Sequence, residues 1–525
     1  MPVTQVLILL AYLPPLVLAS VGGYILRSQS MRLESAYRAV FSVTFGTVIL
    51  SLLFGLAVFF FGPMQGFMLG AAEIGIANRL DGVSVAMLWL VSLIGMLIVR
   101  YSRNYLDGDP RHVPFIGYLS LTISAVFLLV LSGTLIQLAI GWILTTFALH
   151  QLLTFYAERP RARAAGHKKG VLARLSDVAL IFAIIFFYQA FGTTDFAQLT
   201  LESERALENG FFSMGLVTAG ILVVIAAILK SAVYPFHGWL LEVMDAPTPV
   251  SALLHAGIIN AGTFLIVRFG SLLYFSEIAL YLLILIGGLT AIFASIAMMT
   301  QSNVKVSLAY SSAAHMGFML MLCGFGAFSV AILHLIGHSF YKAHAFLSSG
   351  SVLEYIQGLG GKELKGTVGP LTLLLSLAGS LAIFVAMGAA LGIDITKRPG
   401  ETALGAIFVM GITYLIIKGS TAITASRRWV LIRTLFSALA VTFAFYALEF
   451  SAAWMLSSSV AAGPEGSSVY DVIMWGMVGL FAAIILIQTW LPALTRTAFG
   501  HTAYVYLKNG LFANAWLDRL VGQPR

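Results

Sequence analysis

The chain has 525 residues, 59% of them hydrophobic and only 10% charged, a balance that excludes a soluble globular protein. Its formal net charge of +8 does not imply nucleic acid, because most basic residues sit in short loops between apolar runs. Cys323 is the only cysteine, which excludes an internal disulfide and the usual four thiolates of an iron–sulfur cluster. There is no dinucleotide fingerprint and no phosphate loop. No cofactor is therefore expected on this chain, nor a redox reaction within it. Runs long enough to span a bilayer recur along nearly the whole length. The expected fold class is an all-α polytopic membrane protein with about fifteen spans and broken helices. A transmembrane domain covers 1–491 and a short interfacial tail 492–525.

The first span is Leu7 to Ile25; its leader has no basic residue, so it reads as a retained helix rather than a signal peptide. Arg27, Arg32 and Arg38 follow it. Ala39–Phe61 and Val83–Val99 are the second and third spans, and Arg100, Arg103 and Arg111 come after the third. Phe115–Leu131 and Ile136–Tyr156 are the fourth and fifth. The most basic loop then carries Arg159, Arg161, Arg163, Lys168, Lys169 and Arg174. Val178–Phe191 is the body of the sixth span, and an acidic loop with Asp195, Glu202, Glu204 and Glu208 follows. Placing basic loops in the cytoplasm puts the N-terminus outside. Lys362, Lys365, Arg427, Arg428 and the tail residues Arg496, Lys508, Arg519 and Arg525 then fall inside.

The stretch KSAVYPFHGWLLEVMDAPTPVSALLHAGIINAGTFLIVRF, Lys230 to Phe269, organises the chain. Apolar residues lead into Lys230 and continue to Leu241, so a single interrupted span puts the lysine near mid-depth. A cation there costs about 2.5–3.5 kcal/mol on insertion scales. Pro235 removes a backbone donor and breaks the helix. A broken helix at this depth is tolerated only where it is packed in protein or lines a wet cavity. Pro247 and Pro249 reset the chain, and His255, able to titrate near neutral pH, lies about two turns into the next helix. Lysine, break and histidine together point to a proton path; the alternative is a snorkelling lysine beside a satisfied histidine.

Later spans run Ala279–Met299, Val306–Phe325, Ala331–Leu347, Leu371–Leu391, Ala403–Ile417, Trp429–Phe450 and Val472–Leu491. His334, His338 and Lys342, spaced by four, form one slanted stripe from which His344 is absent. Two histidines at this spacing can also hold a metal. No third ligand is evident, so a proton relay facing the bundle interior is the better reading and no metal is expected. Asp177, three residues after Arg174, is either a local surface pair or a carboxylate acting on Lys230 across the bundle. Lys305, in the same span as His315, is either part of the path or an anchor at a helix end. Glu242 and Asp245 precede the Pro-Thr-Pro turn as gate carboxylates or helix caps, and Lys418 and Glu449 are placed to pair.

The motif KSAVYPFHGWLLEVMDAPTPVSALLHAG resembles the signature of the antiporter-like, proton-conducting membrane subunits of respiratory complex I and of Mrp-type antiporters. The likeness extends, more loosely, from about Asp81 to about Glu354. HAGIINAGTFLIVRFG is more similar to the membrane subunit (DabB) of two-component inorganic-carbon accumulation complexes. The resemblance implies inverted five-helix repeats at about 113–268 and 277–424, and places the histidines and lysine of the stripe on a central hydrophilic axis. It implies a proton-conducting subunit, not itself an enzyme, in a bacterial inner membrane. The expected partner is a large cytoplasmic, zinc-containing subunit similar to β-carbonic anhydrase (DabA).

Two departures and one ending bear on this. Complex I subunits usually carry a glutamate after the Gly-Trp of the fifth span; here Ile143 follows Gly141-Trp142, and His150 is the only obvious substitute partner for Lys230. The twelfth span has no lysine where that family usually has one. The chain also ends soon after its last span, without the long lateral helix of the terminal complex I subunit. All three favour a separate two-component complex over a complex I pump; a Mrp-type antiporter subunit is a third reading, and the missing glutamate leaves a structural scaffold with vestigial channel residues as a fourth.

Overall fold

Apolar runs fold as helices here because hydrocarbon offers the backbone no partners of its own. The computed structural model describes residues 3–28, 31–71, 73–350, 369–393, 399–420, 427–461, 463, 467–494 and 497–521. Among the described residues, twelve helices are long and apolar enough to cross a membrane, and two shorter apolar helices, Met214–Lys230 and Ser468–Ile484, join them. The protein is an all-α polytopic membrane protein.

In chain order, α1 (Val3–Leu10) and α2 (Leu13–Arg27) together make the first crossing, and α3 (Leu33–Phe61) the second. Two antiparallel ribbons follow, where no strand was expected. β1 (Met64–Gln65) pairs with β4 (Arg79–Leu80), and β2 (Leu69–Ala71) with β3 (Ile74–Ile76). Glycine permits the tighter ribbon, since a Cβ on Gly70 would lie 2.0 Å from the Ile74 carbonyl oxygen. Then come α4 (Gly82–Tyr105), α5 (His112–Val130), α6 (Leu135–Leu153) and α7 (Pro160–Phe191).

The long helix α7 corrects the sequence reading of a basic loop. Arg159 precedes it, and Arg161, Arg163, Lys168, Lys169 and Arg174 all lie within its 32 residues. Alanine, arginine and lysine are good helix formers, so nothing local stops the helix in this stretch. Its length, about 48 Å at 1.5 Å per residue, exceeds the roughly 30 Å hydrocarbon core. The acidic "loop" is likewise a helix, α8 (Phe196–Glu208), capped by Asp195, whose carboxylate accepts from the Ala197 and Gln198 N–H groups.

α9 (Met214–Lys230) ends at the lysine. The chain stays non-helical until the short α10 (Gly238–Glu242), so the break predicted at Pro235 is present. α11 (Thr248–Leu253) passes through a π-helical turn, Leu254–Ile258, into α12 (Ala261–Arg268). α13 (Gly270–Leu273), α14 (Glu277–Met299), α15 (Val304–Gly324) and α16 (Phe328–Leu347) follow. α14 and α15 pack backbone to backbone: a Cβ on Gly287 would lie 2.6 Å from the Gly317 carbonyl oxygen, the small-residue approach typical of membrane helices.

α17 (Pro370–Ala390), α18 (Pro399–Ser420), α19 (Arg427–Leu456) and α20 (Ser468–Leu494) complete the bundle. Lys362, Lys365, Arg496 and Arg525 lie outside the described residues, as do the side chains of Asp245 and Lys418, and with the latter its expected pairing with Glu449. The tail forms α21 (Ala498–Lys508) and α22 (Ala513–Val521) and docks on its own chain, with Ala513 and Leu517 buried.

Candidate functional site

The polar interior has two parts. The first is built on the end of α9. Lys230 is only 5% exposed. Its ammonium donates to the Trp142 carbonyl oxygen at 2.5 Å and to Thr146 Oγ1 at 2.9 Å, and lies 4.1 Å from the centroid of the Trp142 ring. Trp142 and Thr146 are four apart on α6 and so share a face. The Trp142 indole N–H donates to Ser176 Oγ on α7, and that hydroxyl donates to the Ala226 carbonyl on α9. Three helices are thereby tied around the lysine.

His150 does not take the place of the absent glutamate. It lies a turn beyond Thr146, against Gly166, with the cations Lys169 and Arg174 acting on it. The groups that satisfy Lys230 are instead a hydroxyl and a carbonyl, which need no countercharge to accept from an ammonium. Asp177 is buried, and the cations acting on it are, in order, Lys230, Lys169 and Arg174. Arg174 makes no close ion pair with it among the described residues; the guanidinium lies 4.7 Å from the Phe147 ring centroid. Asp177 thus faces the interior, with Oδ1 buried and lacking a hydrogen bond.

The second part lies between α11–α12, α15 and α16. His255 falls in the π turn, where its Nδ1 is 2.9 Å from Ser312 Oγ and its ring stacks on Phe346 at 4.3 Å. π turns of this kind recur at functional sites. Lys342 is fully buried and donates to Ser311 Oγ at 2.7 Å and to the Leu308 carbonyl at 3.1 Å. His338 is buried with both ring nitrogens unpartnered, 4.9 Å from the His315 ring. His334 Nε2 is 2.9 Å from His315 Nδ1. The predicted stripe therefore exists and faces α15, while His344 is exposed. His334 and Lys342 bond to α15, which sequence spacing along α16 does not show.

Asn260 Nδ2 donates to Ser339 Oγ and holds α12 to α16. A cavity of about 10 Å3 is lined by Thr145 on α6 and otherwise by apolar residues, Val126, Leu129, Gly257, Ala261 and Phe264 among them. A larger cavity of about 230 Å3 opens beyond His334, where Glu449 also lines the wall.

Two predicted residues lie apart from both parts. Lys305, half-buried near the start of α15, donates to Thr248 Oγ1 at 3.1 Å. Glu242 caps no helix; it accepts from Lys168 at 2.5 Å and from Asn514 at 2.9 Å. A buried ion cluster pins the start of α4 to the end of α12. Arg268 and Arg79 both pair with Asp81, at 2.5 and 2.8 Å. Burial alone would push the Asp81 carboxyl up, but the two guanidinium groups hold it below its usual range. Sequence reasoning missed Thr146, Ser311 and Ser312 and left His315 out of the path. Ser311, Ser312 and His315 at spacings of three and four in an apolar helix were the available signal.

Two family models match. Residues 132–359 fit the NADH:quinone oxidoreductase/Mrp antiporter transmembrane family, and residues 67–116 fit the N-terminal family of NADH-ubiquinone oxidoreductase (complex I) chain 5. The chain is 36% identical over 484 residues to the probable inorganic carbon transporter subunit DabB2 of Halothiobacillus neapolitanus, covering 89% of this chain and 86% of that relative. It belongs to the antiporter-like membrane subunit family. Another member, the probable inorganic carbon transporter subunit DabB of Hydrogenovibrio crunogenus, is 35% identical over 72% of this chain and 70% of its own. In fold, the chain is similar to a chain of the Mrp complex from Dietzia sp. DQ12-45-1b: TM-score 0.66 at 20% identity, over 97% of this chain and 58% of that one. The larger family match spans Lys230, His255, His334, His338 and Lys342, so both parts of the polar interior lie inside it.

Proposed function

We propose that this chain is a proton-conducting subunit that couples the proton motive force to inorganic-carbon accumulation by a partner protein. The observation that carries the reading is the buried polar interior itself. Lys230, His255, His338 and Lys342 sit 5% exposed or less inside a membrane bundle, in a chain 36% identical to a subunit named for inorganic carbon transport. Ionisable groups are expensive at this depth and mark ion pathways. Three bonded pairs lie along the second part, His255–Ser312, Lys342–Ser311 and His315–His334, with the unpartnered His338 ring 4.9 Å from His315.

In this reading protons pass between Lys230 in the first part and His255, Lys342, His338, His315 and His334 in the second. Basic residues at span ends, by the positive-inside rule, support an N-terminus outside and a C-terminus in the cytoplasm of a bacterial inner membrane. The partner is a peripheral, zinc-containing subunit similar to β-carbonic anhydrase, which carries any catalytic site. A single charge crossing 100 mV releases about 2.3 kcal/mol, and a tenfold gradient requires about 1.4 kcal/mol, so one proton supports more than a tenfold asymmetry in the partner's reaction.

The test is carbon accumulation in cells that depend on this protein. Accumulation should collapse when an uncoupler dissipates the proton gradient with ATP held constant. Accumulation that persists would overturn the reading. Accumulation that follows the sodium gradient instead would keep the subunit class and replace the ion.

A further inference from the structure

Lys168 has no part in the path so far, yet its side chain is 1% exposed. A lysine is almost never that buried unless paired. Its ammonium donates to Glu242 Oε1 at 2.5 Å and to Asn514 Oδ1 at 3.1 Å, and it forms an ion pair with Asp518. Asn514 Nδ2 donates to the same Glu242 oxygen at 2.9 Å. Glu242 belongs to α10, just past the helix break that follows Lys230. Asn514 and Asp518 are four apart on α22, so one face of the tail helix supplies both groups.

The fit is close. A Cβ on Gly238 would lie 2.2 Å from Asn514 Oδ1, and one on Gly510 would lie 2.6 Å from the Tyr310 hydroxyl. Leu517 is 1% exposed beneath the tail, and the Trp516 ring packs 6.3 Å from Phe236. Next to Lys168 in sequence, Lys169 is also buried, its ammonium 5.6 Å from the Trp239 ring centroid, and it acts on Asp177 together with Lys230. Lys230, Asp177 and Lys169 thus form one group of alternating sign, and Glu242, Lys168 and Asp518 a second; α10 joins the two, since its Trp239 meets Lys169 and its Glu242 meets Lys168.

We propose that these two groups of alternating charge are the ion route between Lys230 and the aqueous face on the tail side, with Asp518 of the C-terminal helix as its outermost exchanging group. The proposal rests on the proton-conducting reading above. Each step passes a proton from an ammonium to a neighbouring carboxylate and refills the amine from the next carboxylic acid. Only N–H and O–H bonds break and form, so atoms and charge balance without any co-reactant. The tail is then part of the conduction machinery, although it lies outside the spans and outside both family-matched segments.

The experiment is proton flux into proteoliposomes holding the complete two-component complex, driven by an imposed potential and read with an internal pH-sensitive dye. Asp518→Asn should lower flux about tenfold or more, since it removes a positioned proton-transfer group. Glu242 remains to hold Lys168 in that variant, so the complex should incorporate normally, and Asp518→Glu should restore flux. Wild-type flux in Asp518→Asn, with Lys230→Ala inactive, overturns this proposal and leaves the proton-conducting reading standing. Equal losses in Asp518→Asn and Asp518→Glu overturn it as well, since they show a packing role. Wild-type flux in Lys230→Ala overturns both.

Discussion

Thr146 offers the sharpest probe of how the bundle holds its central cation. Among the described residues its hydroxyl is one of two acceptors on the Lys230 ammonium, at 2.9 Å, the other being the Trp142 carbonyl. Thr146→Val keeps the side-chain shape and removes the acceptor. A hydrogen bond to a charged group is worth about 1.5–3 kcal/mol, and about 1.4 kcal/mol is a factor of ten. The charged state that carries the proton becomes less accessible by that amount, so flux should fall roughly ten- to a hundredfold. The Trp142 ring stays 4.1 Å away and still faces the cation, which places the effect towards the smaller figure. The assay is dye-reported proton flux in proteoliposomes of the complete complex, normalised to incorporated protein. Thr146→Ser, which keeps a hydroxyl, should stay close to wild type. Wild-type flux in Thr146→Val would refute the argument that these acceptors sustain the charged lysine.

His338→Ala should reduce flux strongly, because both ring nitrogens are buried without partners between His315 and Lys342; a stoichiometric zinc on the purified subunit, lost in this variant, would instead show a metal site. Asp81→Ala should destabilise the fold by about 3–5 kcal/mol, since it leaves Arg268 buried without its countercharge. Thermal unfolding in detergent reads that loss, and an unchanged transition would contradict it.

Much of this was legible in the sequence, for physical reasons. Spans announce themselves because hydrocarbon demands long apolar helices, and Pro235, Pro247 and Pro249 cannot continue one. The α16 stripe was legible because helical spacing alone puts His334, His338 and Lys342 on one side. What those side chains touch was not. His315 meets His334 only because α15 and α16 pack side by side, a property of pairs of helices. The basic stretch before Asp177 was misread because charge argues for a loop at a membrane surface. Helix propensity and partners 74 and 350 residues away in sequence decide otherwise for Lys168. His150 likewise matched the vacancy left by Ile143 in type but not in position.

The central claim is that ions cross this protein by way of Lys230, and one measurement meets it directly. Lys230→Ala is assembled with its partner, reconstituted, and compared with wild type for potential-driven proton uptake at matched protein content. The account predicts that the variant complex reaches the membrane and conducts no protons above the protein-free background. Proton uptake at the wild-type rate in that variant would contradict it.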